Sequence, residues 1–179
     1  MDTSPRIRPV EPVEPVEWVD VVDDDDRVIA TVTRAEMRAG RLQHRAVAVA
    51  VVGSDGRLLV HRRADHKDVW PGWWDLAAGG VVSAGEGYLD AARRELAEEL
   101  GIEVPVDRLE PLGEGRFRDD AVALIAHGYR VVHDGPFRCT DGEIAELRWV
   151  TWAELDELRR TATFVPDSIE LMLPRIDPR

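Results

Sequence analysis

The chain has one cysteine, Cys139, in 179 residues. That excludes an intramolecular disulfide and any cysteine-rich zinc cage. Long apolar runs are also missing. The longest covers residues 46–52, against the roughly 20 that a membrane helix needs. The opening Met-Asp-Thr-Ser-Pro-Arg has neither the charged n-region nor the apolar h-region of a secretory signal. The expectation is a soluble, cytoplasmic protein with no membrane partner. Positive charge is scarce: 23 Lys and Arg face 35 Asp and Glu, for a net charge of −12. With a sequence pI near 4.8, duplex nucleic acid, which needs clustered basic residues, is not an expected partner. A divalent cation suits such a surface better. What the chain does have is enough for one core. Its hydrophobic share is 44%, and a chain of this length buries roughly 70% of its unfolded surface on folding.

Residues 1–16 carry a short Pro-Val-Glu repeat that favours an extended, flexible arm; residues 17–179 are read as a single domain. Residues 18–22 and 27–32 are β-branched runs flanking four aspartates, which predicts a hairpin with an acidic, solvated tip. Thr33 and Glu36 fit a capping box, opening a short helix that Gly40 ends. Residues 46–52 are too short and too β-branched to prefer helix and read as a central strand. Residues 57–62 return as a second strand after the Gly-Ser-Asp-Gly turn. Residues 73–82 read as a strand entering a glycine-marked turn. From Leu89 the period becomes helical, with Leu89, Ala92, Leu96 and Leu100 on one face and Gly101 as the stop. Strands are expected at 109–112, 121–132 and 144–151, and closing helices at 152–160 and 168–173, with Pro166 and Pro174 as boundaries. This pattern predicts a mixed α/β layer architecture.

The informative stretch is residues 80–102. On a helix, Glu95, Glu98 and Glu99 stand at i, i+3 and i+4 and share a face. Carboxylates about 5–6 Å apart repel by roughly 3 kcal/mol per pair at an effective dielectric of 20. A solvated acidic face tolerates that repulsion. A hard oxygen cluster for Mg²⁺ or Mn²⁺ converts it into coordination, and such ions neutralise phosphate charge and activate water.

The same stretch reads Gly80, five residues, Glu86, seven residues, Arg94-Glu95, an aliphatic, any residue, Glu98-Glu99, any residue, Gly101, an aliphatic. It matches the Nudix hydrolase signature at every specified position. At average residue frequencies that happens by chance on the order of once in ten million chains of this length. Outside the box, residues 17–22, His44-Arg45-Ala46, Arg62-Arg63 before Pro71-Gly72, and Arg148-Trp149-Val150 resemble the YfcD subgroup. That subgroup is similar in layout to isopentenyl-diphosphate isomerase. The likeness covers approximately residues 17–173.

The resemblance implies a Nudix α/β/α sandwich with a mixed sheet, a catalytic loop-helix and an N-terminal hairpin extension. It implies hydrolysis of a phosphoanhydride in a small-molecule diphosphate, most naturally a nucleoside diphosphate linked to another moiety, by metal-activated water. Glu95, Glu98 and Glu99, with the carbonyl of Gly79 or Gly80, would hold Mg²⁺ (or Mn²⁺), while Glu86 and Arg94 would brace the loop against the helix. The base is Glu95 or a residue outside the box, for which Asp141, Glu143 and Glu146 are candidates; Glu95, Glu98 and Glu143 form the catalytic set taken forward. His61, Arg62, Arg63 and Lys67 are the candidate phosphate contacts. Trp70, Trp73 and Trp74 cluster ahead of the box; such residues commonly pack in a core, and Trp74 is the one assigned to substrate. His44 has a metal-binding counterpart in the isomerase layout. The isomerase reading itself is disfavoured, because the thiol and Ser-His-Pro that its chemistry needs before the helix are replaced by Leu76-Ala77-Ala78-Gly79-Gly80. A non-catalytic sensor module is the other alternative, and an intact box argues against it. A homodimer is open, since the hairpin could pack in cis or against a second subunit.

Overall fold

The computed structural model describes residues 16–140, 142–177 and 179. The expected proline-rich arm falls outside them apart from Val16, and so does Asp141. The run of small and β-branched residues becomes β3 (His44–Val52), the strand around which the sheet is organised. Both of its faces are covered. Val47, Val49 and Val51 point into one core, while Ala50, with Ala48 and Val52, faces another. This is the period-two burial that a strand without polar positions predicts. β3 pairs parallel with β8 (Ala123–Val132), from His44 opposite Leu124 to Val52 opposite Val132. On its other side it pairs antiparallel with β6 (Ala78–Val81). β7 (Glu110–Arg118) extends the sheet beyond β8. β4 (Leu58–Arg63) leaves β3 after one pair, Val52 with Leu58, and joins β5 (Trp74–Asp75) and β9 (Ile144–Val150).

Helices cover both faces. α2 (Tyr88–Leu100) packs Ala91, Ala92, Leu96 and Leu100 against Val47, Val49 and Val51. Leu96 and Leu100 are almost fully buried, each stabilising by about 2–3 kcal/mol. On the opposite face lie α3 (Trp152–Thr161), a π-helical turn (Ser168–Met172) and α4 (Leu173–Ile176). Leu155, Phe164, Met172 and Ile176 fill the core beneath them. The expected mixed α/β fold is therefore present. Among the described residues no helix is long and apolar enough to cross a membrane.

The N-terminal hairpin, β1 (Trp18–Val22) and β2 (Val28–Thr33), docks in cis where Val21 meets His44. Thr33 and Glu36 form both arms of the capping box that opens α1 (Arg34–Gly40).

Four local expectations shift. The left-handed residue ending α1 is Arg41 (φ 48°), not Gly40. A Cβ at Gly40 would sit 3.0 Å from the Leu42 side chain, which would have to give slightly. The predicted 73–82 strand is two short strands, because the sheet changes partner from β4 to β3 between Asp75 and Ala78. Pro174 lies inside the last helical segment, in the first turn of α4, where a missing N–H breaks no bond. The strand expected at 109–112 runs to Arg118. It is a largely exposed outer strand, so its sequence carries no strong apolar alternation.

Candidate active site

Short-range geometry fixes the box. β6 runs antiparallel to β3 and turns into α2 through residues 82–87. The turn closes by Glu86 N–H donating to the Ser83 carbonyl at 3.0 Å and Ser83 N–H to Glu86 Oε2 at 3.0 Å. Gly85, at φ 75°, donates its N–H to Asp20 Oδ2 at 2.9 Å. The hairpin thus holds the box loop through a buried Asp20, whose other oxygen accepts from Thr31 at 2.7 Å.

Arg94 knits loop to helix. Its Nε and Nη2 donate to the two oxygens of Glu86 at 2.9 Å each, a bidentate pair. Nη2 also reaches the Val81 carbonyl at 3.2 Å, and Nη1 reaches Glu95 Oε1 at 2.7 Å and Glu98 Oε2 at 3.1 Å. Glu86, ahead of Glu95, holds its guanidinium more firmly charged than usual, while burial works against the Glu86 carboxyl but is outweighed by Arg94 and Ser83.

The three box glutamates are not equivalent. Glu98 is exposed, whereas Glu95 and Glu99 are buried at 8% and 2% exposure. Glu99 Oε2 accepts from the Gly79 N–H at 3.1 Å. Burial is the main force raising the pKa of both buried carboxyls. Glu95 adds to the rise at Glu99, and Lys67 opposes it. Gly80 makes room for Glu95, and Gly79 for the neighbouring strand. A Cβ on Gly79 would collide with the Val47 carbonyl, and one on Gly80 would sit 2.5 Å from Glu95 Oε1.

Glu95, Glu98 and Arg94 open onto a cavity of about 430 Å³, whereas Glu99 lies behind its lining. Lys67, Glu143 and Arg63 line the same cavity. Lys67, the chain's single lysine, is almost buried and ion-paired to Glu143. Glu143 arrives there because the β4–β9 register slips at Arg62/Arg63, letting Ala64 N–H bond the Glu143 carbonyl at 2.8 Å. Arg63 gives Nη2 to the Val69 carbonyl at 3.1 Å and lies 3.9 Å from Asp75. Its buried Nε has no hydrogen-bond partner among the described residues. His44 also lines the cavity. Burial pushes its pKa down to about 4, so it is a neutral imidazole whose Nδ1 sits 2.9 Å from the Leu42 carbonyl.

The donor set suits a hard divalent ion. Two buried carboxylates stand in mutual repulsion with limited compensation nearby, which is an arrangement a cation relieves. As the side chains stand, Arg94 occupies Glu95 and Glu98 and the Gly79 amide occupies Glu99. Among the described residues no three His, Cys, Asp or Glu side chains therefore converge on a single point.

Several site expectations change place. Trp74, assigned to substrate, is buried in the core beneath Phe164, with Arg148 stacked 5.0 Å from its ring centroid. Trp70 is the tryptophan on the cavity wall. Arg62 alternates away from Arg63 along β4, pairs with Asp65 at 3.1 Å and does not line the cavity. His61 is buried within β4, away from the cavity lining. Glu146 is exposed and paired with Arg148 at 2.9 Å, outside the cavity. Cys139 is exposed and likewise absent from the lining. The sequence reading missed Arg34, Arg38, Asp75 and Asp167, all on the cavity wall. Arg34 and Arg38 left a trace, being like charges at i and i+4 on one short helix, which is destabilising without a partner.

A NUDIX domain model matches residues 42–172. The chain is 40% identical over 151 residues to an uncharacterized Nudix hydrolase, YfcD, of Escherichia coli (strain K12), covering 84% of this chain and 81% of that protein. It is 39% identical over 155 residues to an uncharacterized Nudix hydrolase, PA4841, of Pseudomonas aeruginosa, covering 87% and 90%. The crystal structure of DR0079 from Deinococcus radiodurans superposes with a TM-score of 0.72 at 28% identity, covering 89% of this chain and 99% of that one. The NUDIX domain of Shewanella oneidensis NrtR, solved with ADP ribose, shares the fold at a TM-score of 0.58 and 19% identity, covering 79% and 95%. With an intact box on a loop-helix, and relatives matching most of its length, the chain belongs to the Nudix hydrolases, enzymes acting on phosphorus anhydrides.

Proposed function

We propose that this Nudix hydrolase is Mg²⁺-dependent, with Mn²⁺ able to substitute, and that it cleaves the phosphoanhydride of a nucleoside diphosphate linked to another moiety. The observation that carries the reading is one cavity lined both by the box carboxylates Glu95 and Glu98 and by the cations Lys67 and Arg63. Glu95, Glu98 and Glu99, with the Gly79 carbonyl, would hold the ion. Once bound, the ion supplies charge neutralisation on the phosphates and acidifies water. Lys67 and Arg63 contact the phosphate oxygens. Glu143, held in place by Lys67, takes the proton from the attacking water. Arg94 keeps the loop and the helix in register and does not react. The NrtR domain with ADP ribose is a case of this fold accommodating a nucleotide diphosphate.

The test is a substrate panel with Mg²⁺ and with Mn²⁺, covering CDP-linked alcohols, dinucleotide cofactors, nucleotide sugars and prenyl diphosphates, read by release of phosphate or a mononucleotide. Calorimetric titration of each metal accompanies it. Metal-dependent release from a nucleotide member is the expected result. A well-folded protein that takes up neither ion, with or without a diphosphate analogue, refutes the proposal.

A further inference from the structure

Helix α1 lies outside the matched domain, yet two of its arginines, Arg34 and Arg38, line the same cavity as Glu95 and Glu98. They are four residues apart and therefore adjacent on the helix. Arg34 gives Nη1 to Glu17 at 2.7 Å and Arg38 gives Nε to Asp68 at 3.1 Å. Each uses one donor of a five-donor fork in these pairs. Both guanidinia are largely covered, with side-chain exposures of 34% and 22%.

Surface ion pairs contribute about 0–1 kcal/mol, which does not account for packing two like charges side by side. The surroundings add further positive charge. Burial lowers the pKa of Arg38, and Arg34 and Arg63 lower it further, against the pull of Asp68. At Asp68 burial acts upward, but Arg38, Arg34 and Lys67 together outweigh it and hold the carboxyl below its usual range. At Arg34 burial acts downward, but Glu17, with smaller pulls from Asp68 and Glu143, outweighs it and holds the guanidinium charged. Three guanidinia (Arg34, Arg38, Arg63) and the ammonium of Lys67 thus line one cavity of a protein whose net charge is −12.

We propose that Arg34 and Arg38 form an anion subsite that receives a phosphate of the substrate, so that the N-terminal extension is part of the active site. The inference rests on the hydrolase reading for its ligand, a diphosphate, and adds residues that the Nudix box does not contain. Forked donors on a guanidinium match the oxygens of a phosphate in pairs. Glu17 and Asp68 keep the two arginines extended until that phosphate arrives.

The test is calorimetric titration of methylenediphosphonate into wild type, Arg34→Gln, Arg38→Gln and the double variant, in magnesium-containing buffer. Arg130→Ala, which removes an exposed pair with Glu110, is the control. Each single variant should weaken binding about tenfold and the double variant about a hundredfold, the loss of one or two charge-assisted hydrogen bonds. Circular dichroism and thermal melting check folding, and an unfolded variant is replaced by Arg→Lys, which keeps the charge but loses the fork and should retain part of the affinity. Wild-type affinity in the double variant, or no binding by wild type, overturns the subsite. The two readings fail separately. Arginine-dependent binding without hydrolysis of any diphosphate leaves the subsite and removes the enzyme, whereas hydrolysis indifferent to both arginines does the reverse.

Discussion

Asp167 offers a sharp check on the electrostatics of the cavity. Its carboxyl lines the wall beside Ser168 and accepts the Ser168 N–H at 2.8 Å. Burial first, and Asp75 second, push its pKa up to about 7 against the pull of Ser168 and Arg63. The folded pKa lies above the unfolded value, so the group's contribution to stability is fully present below about pH 4. It is lost as pH rises to about 7 and then levels off. One proton released on unfolding changes stability by up to about 1.4 kcal/mol per pH unit. The full span from about pH 4 to 7 is therefore about 4 kcal/mol; the roughly two-thirds of it above pH 5 is cut by the solvated cavity to about 2 kcal/mol between pH 5 and 8. Asp167→Asn keeps the acceptor for Ser168 but does not titrate. Urea unfolding at pH 5, 6, 7 and 8 should show wild type losing about 2 kcal/mol relative to the variant across that range. The matching shift in melting temperature is about 4–8 °C for a chain of this size. Parallel pH profiles for the two proteins would refute the assignment of a buried, poorly compensated carboxyl.

The remaining predictions concern the box. The double variant Glu98→Gln/Glu99→Gln should lose orders of magnitude in turnover and its calorimetric metal uptake while retaining the wild-type circular dichroism spectrum; unchanged turnover would remove these residues as ligands. Arg94→Ala leaves the buried part of Glu86 without its bidentate partner and should lower stability by about 2–4 kcal/mol, read by urea unfolding. Gly79→Ala and Gly80→Ala should separate fold from site. The first meets the Val47 carbonyl, a backbone atom, and should disrupt the β3–β6 pairing. The nearest atoms the second meets belong to the Glu95 carboxylate, so it should weaken metal binding with a smaller loss of stability.

What the sequence disclosed was local. The apolar run of β3 and the spacing of α2 were readable because period two and period 3.6 are properties of neighbouring residues. The Thr33–Glu36 cap was equally direct. The rest of the cavity lining was not readable in that way. Which tryptophan faces the cavity depends on the loop between β4 and β5, where Trp70 adopts φ 49° and Gly72 φ 74°. Those two positive dihedrals turn the chain so that Trp70 faces inward while Trp74 enters the core. Arg62 and Arg63 were assigned together, although neighbours on a strand point to opposite sides and one cavity takes only one of them. Arg34 and Arg38 reach the site by tertiary docking of the hairpin, which no short-range pattern encodes.

The division of labour within α2 follows from these contacts. Its apolar residues, not its acidic ones, hold it to the sheet, so two carboxylates can be kept buried at an electrostatic disadvantage. Arg94 limits that disadvantage in the absence of a ligand by bonding Glu95 and Glu98. It is anchored independently by both oxygens of Glu86 and by the Val81 carbonyl, so it need not depart when a cation takes over those glutamates. Among the described residues Glu99 has no such arginine: it accepts instead from the Gly79 amide, and it is the most deeply buried of the three. Of the box carboxylates it therefore gains most from an arriving cation, and metal affinity should fall further in Glu99→Gln than in Glu98→Gln when the single variants are titrated with magnesium.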